Sequence, residues 1–130
     1  MLQKITLPTH TDDRGSLTAI EIKDYIDWTP KRIYYVTDVR GMRGGHAVRG
    51  EKKIYVCMQG SCVGRFHDGR DWVEFALKGP SDAVQMDMLC YREFTNFTPG
   101  TVLMAVSSVN YNKADYIYDF AEFLQATKNL

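Results

Sequence analysis

Residues 31–58 read KRIYYVTDVRGMRGGHAVRGEKKIYVCM, two apolar segments on either side of a glycine-rich loop. The segments Arg32–Asp38 and Lys52–Met58 are rich in β-branched and aromatic residues, a composition typical of β-strands. The loop Gly41–Gly45 joins them, and its glycines allow the backbone to approach another group closely. This stretch therefore predicts two strands of a sheet, with a tightly packed loop leading into the second.

The same pattern of short apolar segments and intervening turns extends along the rest of the chain. The Asp68-Gly69 pair suits a type I′ hairpin, and Gly79-Pro80 is a second turn signal. Short strands separated in this way are typical of a β-sandwich or barrel. The further predicted strands are Ser16–Ile22, Ser61–Phe66, Trp72–Leu77, Val84–Phe97 and Thr101–Val109.

The C-terminal stretch departs from the strand pattern. Asn112 is a predicted N-cap, and apolar residues after it recur at helical spacing. They are Ile117, Phe120, Ala121 and Leu124. We therefore predict one all-β domain over residues 1–130, a small antiparallel barrel or jelly roll closed by a short C-terminal helix.

Composition excludes several classes of partner. The 130 residues include 16 Lys+Arg and 16 Asp+Glu, so the formal net charge is zero. A dominant basic field is absent, which argues against binding to nucleic acid or to an anionic membrane. No apolar run reaches the ~18 residues of a membrane helix, and the N-terminal segment lacks a signal-peptide core. Three cysteines without a secretion signal indicate reduced thiols and a cytoplasmic protein.

A local excess of basic residues lies between positions 31 and 53, where only Asp38 and Glu51 are acidic. This segment is either a solvated basic face or an anion pocket in which arginines grip phosphate or carboxylate. Its basic residues are Lys31, Arg32, Arg40, Arg43, Arg49, Lys52 and Lys53.

His46 is the histidine whose context favours a function, because it directly follows the glycines at the start of a predicted strand. His10 and His67 lie next to turns, and we predict ordinary solvated side chains for both. The histidines are far apart and no cluster has the spacing of metal ligands, so we predict no metal.

Three motifs, in this order, resemble the cupin-fold sugar 3,4-ketoisomerases, which act on thymidine-diphosphate-linked (TDP-linked) 4-keto-6-deoxyglucose. They are Asp13–Glu21, Lys31–Val39 and Arg43–Ala47, and the likeness continues through Gln59–Cys62, the Asp68-Gly69 hairpin and Tyr111–Phe123. The resemblance implies a cupin jelly roll, a sugar-nucleotide substrate and a role in bacterial surface-polysaccharide biosynthesis. It also implies no cofactor, and a homodimer that exchanges N-terminal strands.

The resemblance assigns site residues by position. Arg14 matches an active-site arginine, Tyr34 the catalytic tyrosine and His46 the first of two family histidines. For substrate binding we predict Arg32, Arg43 and Lys53 around the diphosphate. Arg92 falls where the family has a further histidine, and its charge suits stabilisation of an enediolate.

The second family histidine is replaced by Val48. Moving a keto group from C4 to C3 requires a base with a pKa near neutrality, and valine carries no titratable group. Three hypotheses follow: a nucleotide-sugar isomerase, a cupin that binds a sugar nucleotide without turnover, and a structural or partner-binding cupin. Retention of Arg14, Tyr34 and His46 argues against the last.

Overall fold

A computed structural model describes all 130 residues and is built mostly of antiparallel strands with a short C-terminal helix. The helical segments are α1 (Ile22–Tyr25), a 3-10 turn (Lys113–Asp115) and α2 (Phe120–Lys128). No helix has the length and apolarity required to cross a membrane. The strands are β1 (Leu2–Thr6), β2 (Thr9–Asp12), β3 (Gly15–Thr18), β4 (Arg32–Val36), β5 (Arg43–Val48), β6 (Lys53–Gln59), β7 (Ser61–His67), β8 (Trp72–Lys78), β9 (Asp82–Met86), β10 (Tyr91–Thr95), β11 (Val102–Ser107) and β12 (Tyr116–Ile117).

Two five-stranded sheets form a sandwich. The first sheet has the order β1-β9-β6-β11-β4 and the second β12-β5-β10-β7-β8, while β2 and β3 form a separate hairpin. Both sheets contribute to one buried cluster, which includes Tyr55 and Leu103 from the first sheet and Phe66, Leu77 and Phe94 from the second. Because side chains alternate between faces, this cluster fixes which residues point into the sandwich.

Part of the outer face of each sheet is also covered. Phe123 of α2 packs with Ala47 and Ile117 on the second sheet. On the first sheet, Leu7 and Trp28 from the N-terminal segment pack against apolar strand residues that point outward from the sandwich. The inner residues of β5 are therefore His46 and Val48, on the face opposite Ala47.

Two predicted strands are shorter than expected. The strand predicted over Ser16–Ile22 ends at Thr18, and α1 begins at Ile22. The strand predicted over Val84–Phe97 is in fact two strands, β9 and β10. They belong to different sheets, so the chain must leave one sheet and cross to the other between Met86 and Tyr91.

The turn and cap predictions also need correction. Of the pair Asp68-Gly69 only the glycine has a positive φ, 101°, whereas a type I′ turn requires two. Residues 68–71 form a longer loop in which the Asp68 carboxylate accepts bonds from the backbone N–H groups of Arg70 and Asp71. Asn112 caps the 3-10 turn instead of the helix, and α2 is capped by Asp119.

Gly44 explains how tightly β5 approaches β10. Its φ is +87°, and a Cβ atom there would lie 2.8 Å from the backbone oxygen of Arg92. The register between the strands shifts at Arg92/Glu93. A side chain at Gly44 would therefore push apart the two strands that carry His46 and Arg92.

Candidate active site

Strand register brings the candidate residues of the first sheet into two rows. In the first row, Ala105 of β11 is opposite Tyr34 on one side and Tyr55 on the other. In the next row, Ser107 is opposite Arg32 and Lys53. Because residues two apart on a strand share a face, both rows lie on the same surface.

The second sheet presents His46 and Arg92 to these rows. They are register partners on β5 and β10. Val48, on the same face as His46, is 2% exposed and paired with Tyr116 of β12. His46 and Val48, the residue that replaces the second family histidine, thus lie next to each other inside the sandwich.

A cavity lies between the sheets at this end. It brings together three of the predicted site residues, Tyr34, Arg43 and His46. The other lining residues are Val36, Gly44, Tyr55, Phe94, Leu103 and Ala105. An imidazole, a phenol and a guanidinium therefore face a largely apolar pocket, an arrangement typical of small-molecule sites.

His46 is an uncharged imidazole at the cavity. Burial, together with the positive charges of Arg92 and Lys53, lowers its pKa to about 4. The imidazole is therefore uncharged at neutral pH and has one nitrogen lone pair available. Its ring centroid lies 4.9 Å from that of Tyr116 and 6.0 Å from that of Tyr118.

The phenol oxygen of Tyr34 accepts a hydrogen bond from a lysine. This Oη atom lies 2.8 Å from Nζ of Lys53, which donates the hydrogen bond. Burial raises the pKa of Tyr34, so the side chain is a neutral phenol at physiological pH. The guanidinium of Arg32 lies 4.7 Å from the Tyr34 ring centroid and 5.3 Å from that of Tyr111.

A buried charge network lies beneath the cavity. The carboxylate of Glu51 pairs with Arg92 and with Lys53, the latter at 3.2 Å, and accepts a 2.7 Å bond from Ser107. Arg92 also donates to Oη of Tyr55 at 2.9 Å. Burial alone would raise the pKa of Glu51, but Arg92 and Lys53 together lower it. When Lys53 is protonated, two positive groups and one negative group give this network an excess positive charge.

Arg92 and Lys53, which we predicted to contact the substrate, do not reach the cavity. Both residues are 0% exposed, and neither lines the cavity. The reason is that a charge inside a sandwich is stable only when paired, and Glu51 supplies the pairing. Sequence reasoning missed Glu51, Tyr55 and Ser107. The available signal was the alternation of Lys53 and Tyr55, which puts both on one face.

Arg14 does not join the cavity within one chain. It lies at the turn of the β2–β3 hairpin, its side chain is 87% exposed, and it pairs with Asp12 at 2.8 Å. All of β2 and most of β3 are likewise exposed. Arg14 and His46 are therefore placed on separate parts of the chain.

His67 is buried rather than solvated as predicted. It is 7% exposed and meets the rings of Trp72, Phe120 and Phe123 edge-on. Helix α2 covers it, a contact that local sequence context does not reveal. No group of three or more His, Cys, Asp or Glu side chains converges in a metal-binding arrangement.

The fold and the cavity define a small antiparallel β-sandwich protein with an imidazole, a phenol and a guanidinium at a cavity between its sheets. The chain belongs to the WxcM-like, C-terminal family, whose model (FdtA) matches residues 2–128.

Individual relatives support the same assignment. The TDP-4-oxo-6-deoxy-alpha-D-glucose-3,4-oxoisomerase of Aneurinibacillus thermoaerophilus is 34% identical over 114 residues, which cover 86% of this chain and 82% of that protein. The crystal structure of a 3,4-ketoisomerase from Helicobacter canadensis has a TM-score of 0.90 at 32% identity, with 98% and 97% coverage. The sugar 3,4-ketoisomerase QdtA from Thermoanaerobacterium thermosaccharolyticum, solved with TDP, has a TM-score of 0.89 at 30% identity, with 98% and 95% coverage.

Proposed function

We propose that this protein is a nucleotide-sugar 3,4-ketoisomerase that acts on a TDP-linked 4-keto-6-deoxy sugar in bacterial surface-polysaccharide biosynthesis. The observation that carries the proposal is His46, an uncharged imidazole lining a cavity beside the phenol of Tyr34. The names of the relatives supply the substrate class, since they are TDP-sugar ketoisomerases.

The chemistry needs one base for a carbon-bound proton. His46 removes the proton at C3, the substrate becomes an enediol, and the same proton is returned at C4. Tyr34 faces the cavity and is positioned to hydrogen-bond the oxygens of this intermediate. No metal or other cofactor is part of the proposal.

The diphosphate is assigned to the arginines near the cavity. Arg43 lines it and is exposed, so its guanidinium is free to grip a phosphate. Arg32 is half-buried between Tyr34 and Tyr111 and is assigned to the same anion. Arg92 and Lys53 act from beneath the cavity, where their excess positive charge stabilises a developing oxyanion without touching it.

The finer architecture is part of the proposal. We assign the sandwich to the cupin jelly rolls, as one domain over residues 1–130. We also propose a homodimer that exchanges N-terminal strands, because the β2–β3 hairpin has almost no packing within its own chain. In such a dimer Arg14 is assigned to the partner's cavity. Three unpaired thiols favour a reducing compartment such as the cytoplasm.

A cupin that binds the sugar nucleotide without turnover is the weaker candidate. Val48 favours it, because one family histidine is lost. His46 remains at the cavity, however, and the named relatives are enzymes. One working base therefore favours turnover over binding alone.

Exchange of substrate protons tests the proposal. The purified protein is incubated in deuterated water with TDP-linked 4-keto-6-deoxyglucose, and the C3 and C4 protons are followed by NMR. We expect the wild type to convert the sugar and His46→Asn to lower the rate by about 10²–10⁴-fold, the usual contribution of a general base. Retained TDP binding by His46→Asn, measured by calorimetry, controls for folding. Tight TDP binding by the wild type without exchange would establish the binding protein instead.

A further inference from the structure

Lys53 is an ionisable residue that has no contact with solvent. Its side chain is 0% exposed. Its Nζ atom has two polar partners, Oη of Tyr34 at 2.8 Å and Oε2 of Glu51 at 3.2 Å. The rings of Tyr34 and Tyr55 lie over it, with centroids 4.7 and 5.1 Å from Nζ. Tyr34 lines the cavity and Lys53 does not, so Tyr34 stands between the lysine and any ligand.

The direction of the Lys53–Tyr34 hydrogen bond determines what Tyr34 offers to the cavity. An ammonium group has only donors, so the phenol oxygen must accept. The phenol's own hydrogen is then free to point towards a ligand. A proton can pass from Lys53 to the cavity through Tyr34 and return by the same path.

The surroundings of Lys53 favour exchange of its proton near neutral pH. Burial, with the nearby charge of Arg92, lowers the pKa of Lys53 to about 7, and Glu51 opposes this shift. The other charged or titratable groups facing Lys53 are Arg32 and Tyr34 from β4, His46 from β5 and Tyr55 from β6. Neutral amine and ammonium are thus close in free energy, which is what a group that gives and recovers a proton requires.

We propose that Tyr34 and Lys53 carry the oxygen-bound proton of the isomerisation from O3 to O4, while His46 carries the carbon-bound proton from C3 to C4. This inference rests on the proposed function. It assigns Tyr34 as a catalytic residue and Lys53 as a positioning residue that acts through it. It also explains how one histidine suffices where Val48 occupies the second position.

The proton balance closes without any co-reactant. In the first half, His46 takes the C3 proton and the C3=C4 double bond forms. O4 gains the phenol proton, and Lys53 replaces it on Tyr34. In the second half, O3 gives its proton to Tyr34, which returns a proton to Lys53. The C3=O bond forms, and C4 takes the proton held by His46.

The rate and its pH dependence, measured together, test this division of labour. Lys53→Met should lower product formation and exchange at C3 in deuterated water by about 10²-fold or more, because both require O4 to gain a proton. The wild-type rate should fall as the pH rises through about 7, where Lys53 loses its proton, and the variant should lack this decline. His46→Asn should lose both product and exchange, and the exposed control Lys128→Met should match the wild type. A purely structural role for Lys53 predicts a lower rate with the wild-type pH profile, and this outcome would overturn the inference.

Lys53→Arg separates charge from proton transfer. Arginine keeps a positive donor beside Tyr34, but its guanidinium does not release a proton. We expect this variant to remain impaired, and recovery to within about threefold of the wild-type rate contradicts the proposal. If neither Lys53 variant folds, Tyr34→Phe breaks the same path at the phenol oxygen and must abolish the same decline of the rate with rising pH.

The outcomes also distinguish this inference from the proposed function. A wild type that converts none of the thymidine, uridine or guanosine diphosphate 4-keto-6-deoxy sugars overturns both. A wild type that converts a sugar, with an unchanged pH profile in the Lys53 and Tyr34 variants, overturns the inference alone.

Discussion

One end of the sandwich interior is apolar and the other is charged, although the same strands form both. Along the inner face of β6, Cys57 belongs to an apolar cluster with Phe66 and Leu77, whereas Lys53 belongs to a network with Glu51 and Arg92. Apolar burial stabilises the fold by about 25 cal/mol per Å². Burying paired charges gains little net stability, because desolvation offsets the attraction. The apolar end therefore contributes most of the stability, and the charged end contributes little net stability.

Removing the one buried carboxylate should break the charged end. Glu51→Gln leaves Lys53 and Arg92 without an opposite charge inside the sandwich, and we expect a loss of about 3–5 kcal/mol in the free energy of unfolding. Urea denaturation at neutral pH measures it. The control Glu122→Gln disrupts an exposed pair with Arg49 and should cost about 0–1 kcal/mol. Equal small losses in both variants would mean that the buried network is not electrostatically balanced by Glu51.

A cavity at the apolar end should reduce stability without changing the chemistry. Leu77 is 1% exposed in the core cluster and lies outside the candidate site. Leu77→Ala should cost about 2–5 kcal/mol in the free energy of unfolding. The rate of the folded variant with a 4-keto-6-deoxy sugar should stay near the wild-type rate. A rate loss as large as that of His46→Asn would show that the two ends are not separable.

A fall in pH should reveal the burial of His46 at the charged end. His46 has a pKa near 4 when folded and near 6.5 when unfolded, so the unfolded chain binds the extra proton between these values. The stabilisation is therefore present above pH 6.5 and is lost as the pH falls towards 4. Unfolding free energies measured at several pH values should fall less steeply for His46→Asn than for the wild type. Parallel curves would contradict the burial of an uncharged imidazole.

Sequence patterns predicted the strands well and the charged end poorly. Arg32–Val36 and Lys53–Gln59 are strands because β-branched and aromatic residues fill them, which is local information. The burial of Arg92 depends on Glu51, a partner 41 residues away that no local pattern indicates. The resemblance places Arg92 where the family has a histidine, and its charge suits an enediolate, so the sequence assigned it to the substrate.

The same distinction applies to the candidate site. Tyr34, His46 and Arg43 were expected together from the family resemblance, and one cavity brings them together. Lys53 was expected beside them but lies one layer deeper, because its ammonium pairs with Glu51. Its separation from the cavity depends on how the two sheets pack, which its position in the sequence does not show.

Ala105 has a consequence for how the cavity is made. It lies between Tyr34 and Tyr55 in a fully paired row, and its methyl group forms part of the cavity wall. The cavity thus comes from one small side chain between two large ones, while both neighbouring strands stay in register across the row. A sheet built in this way can vary the depth of its pocket by a single residue without loosening the scaffold that encloses it.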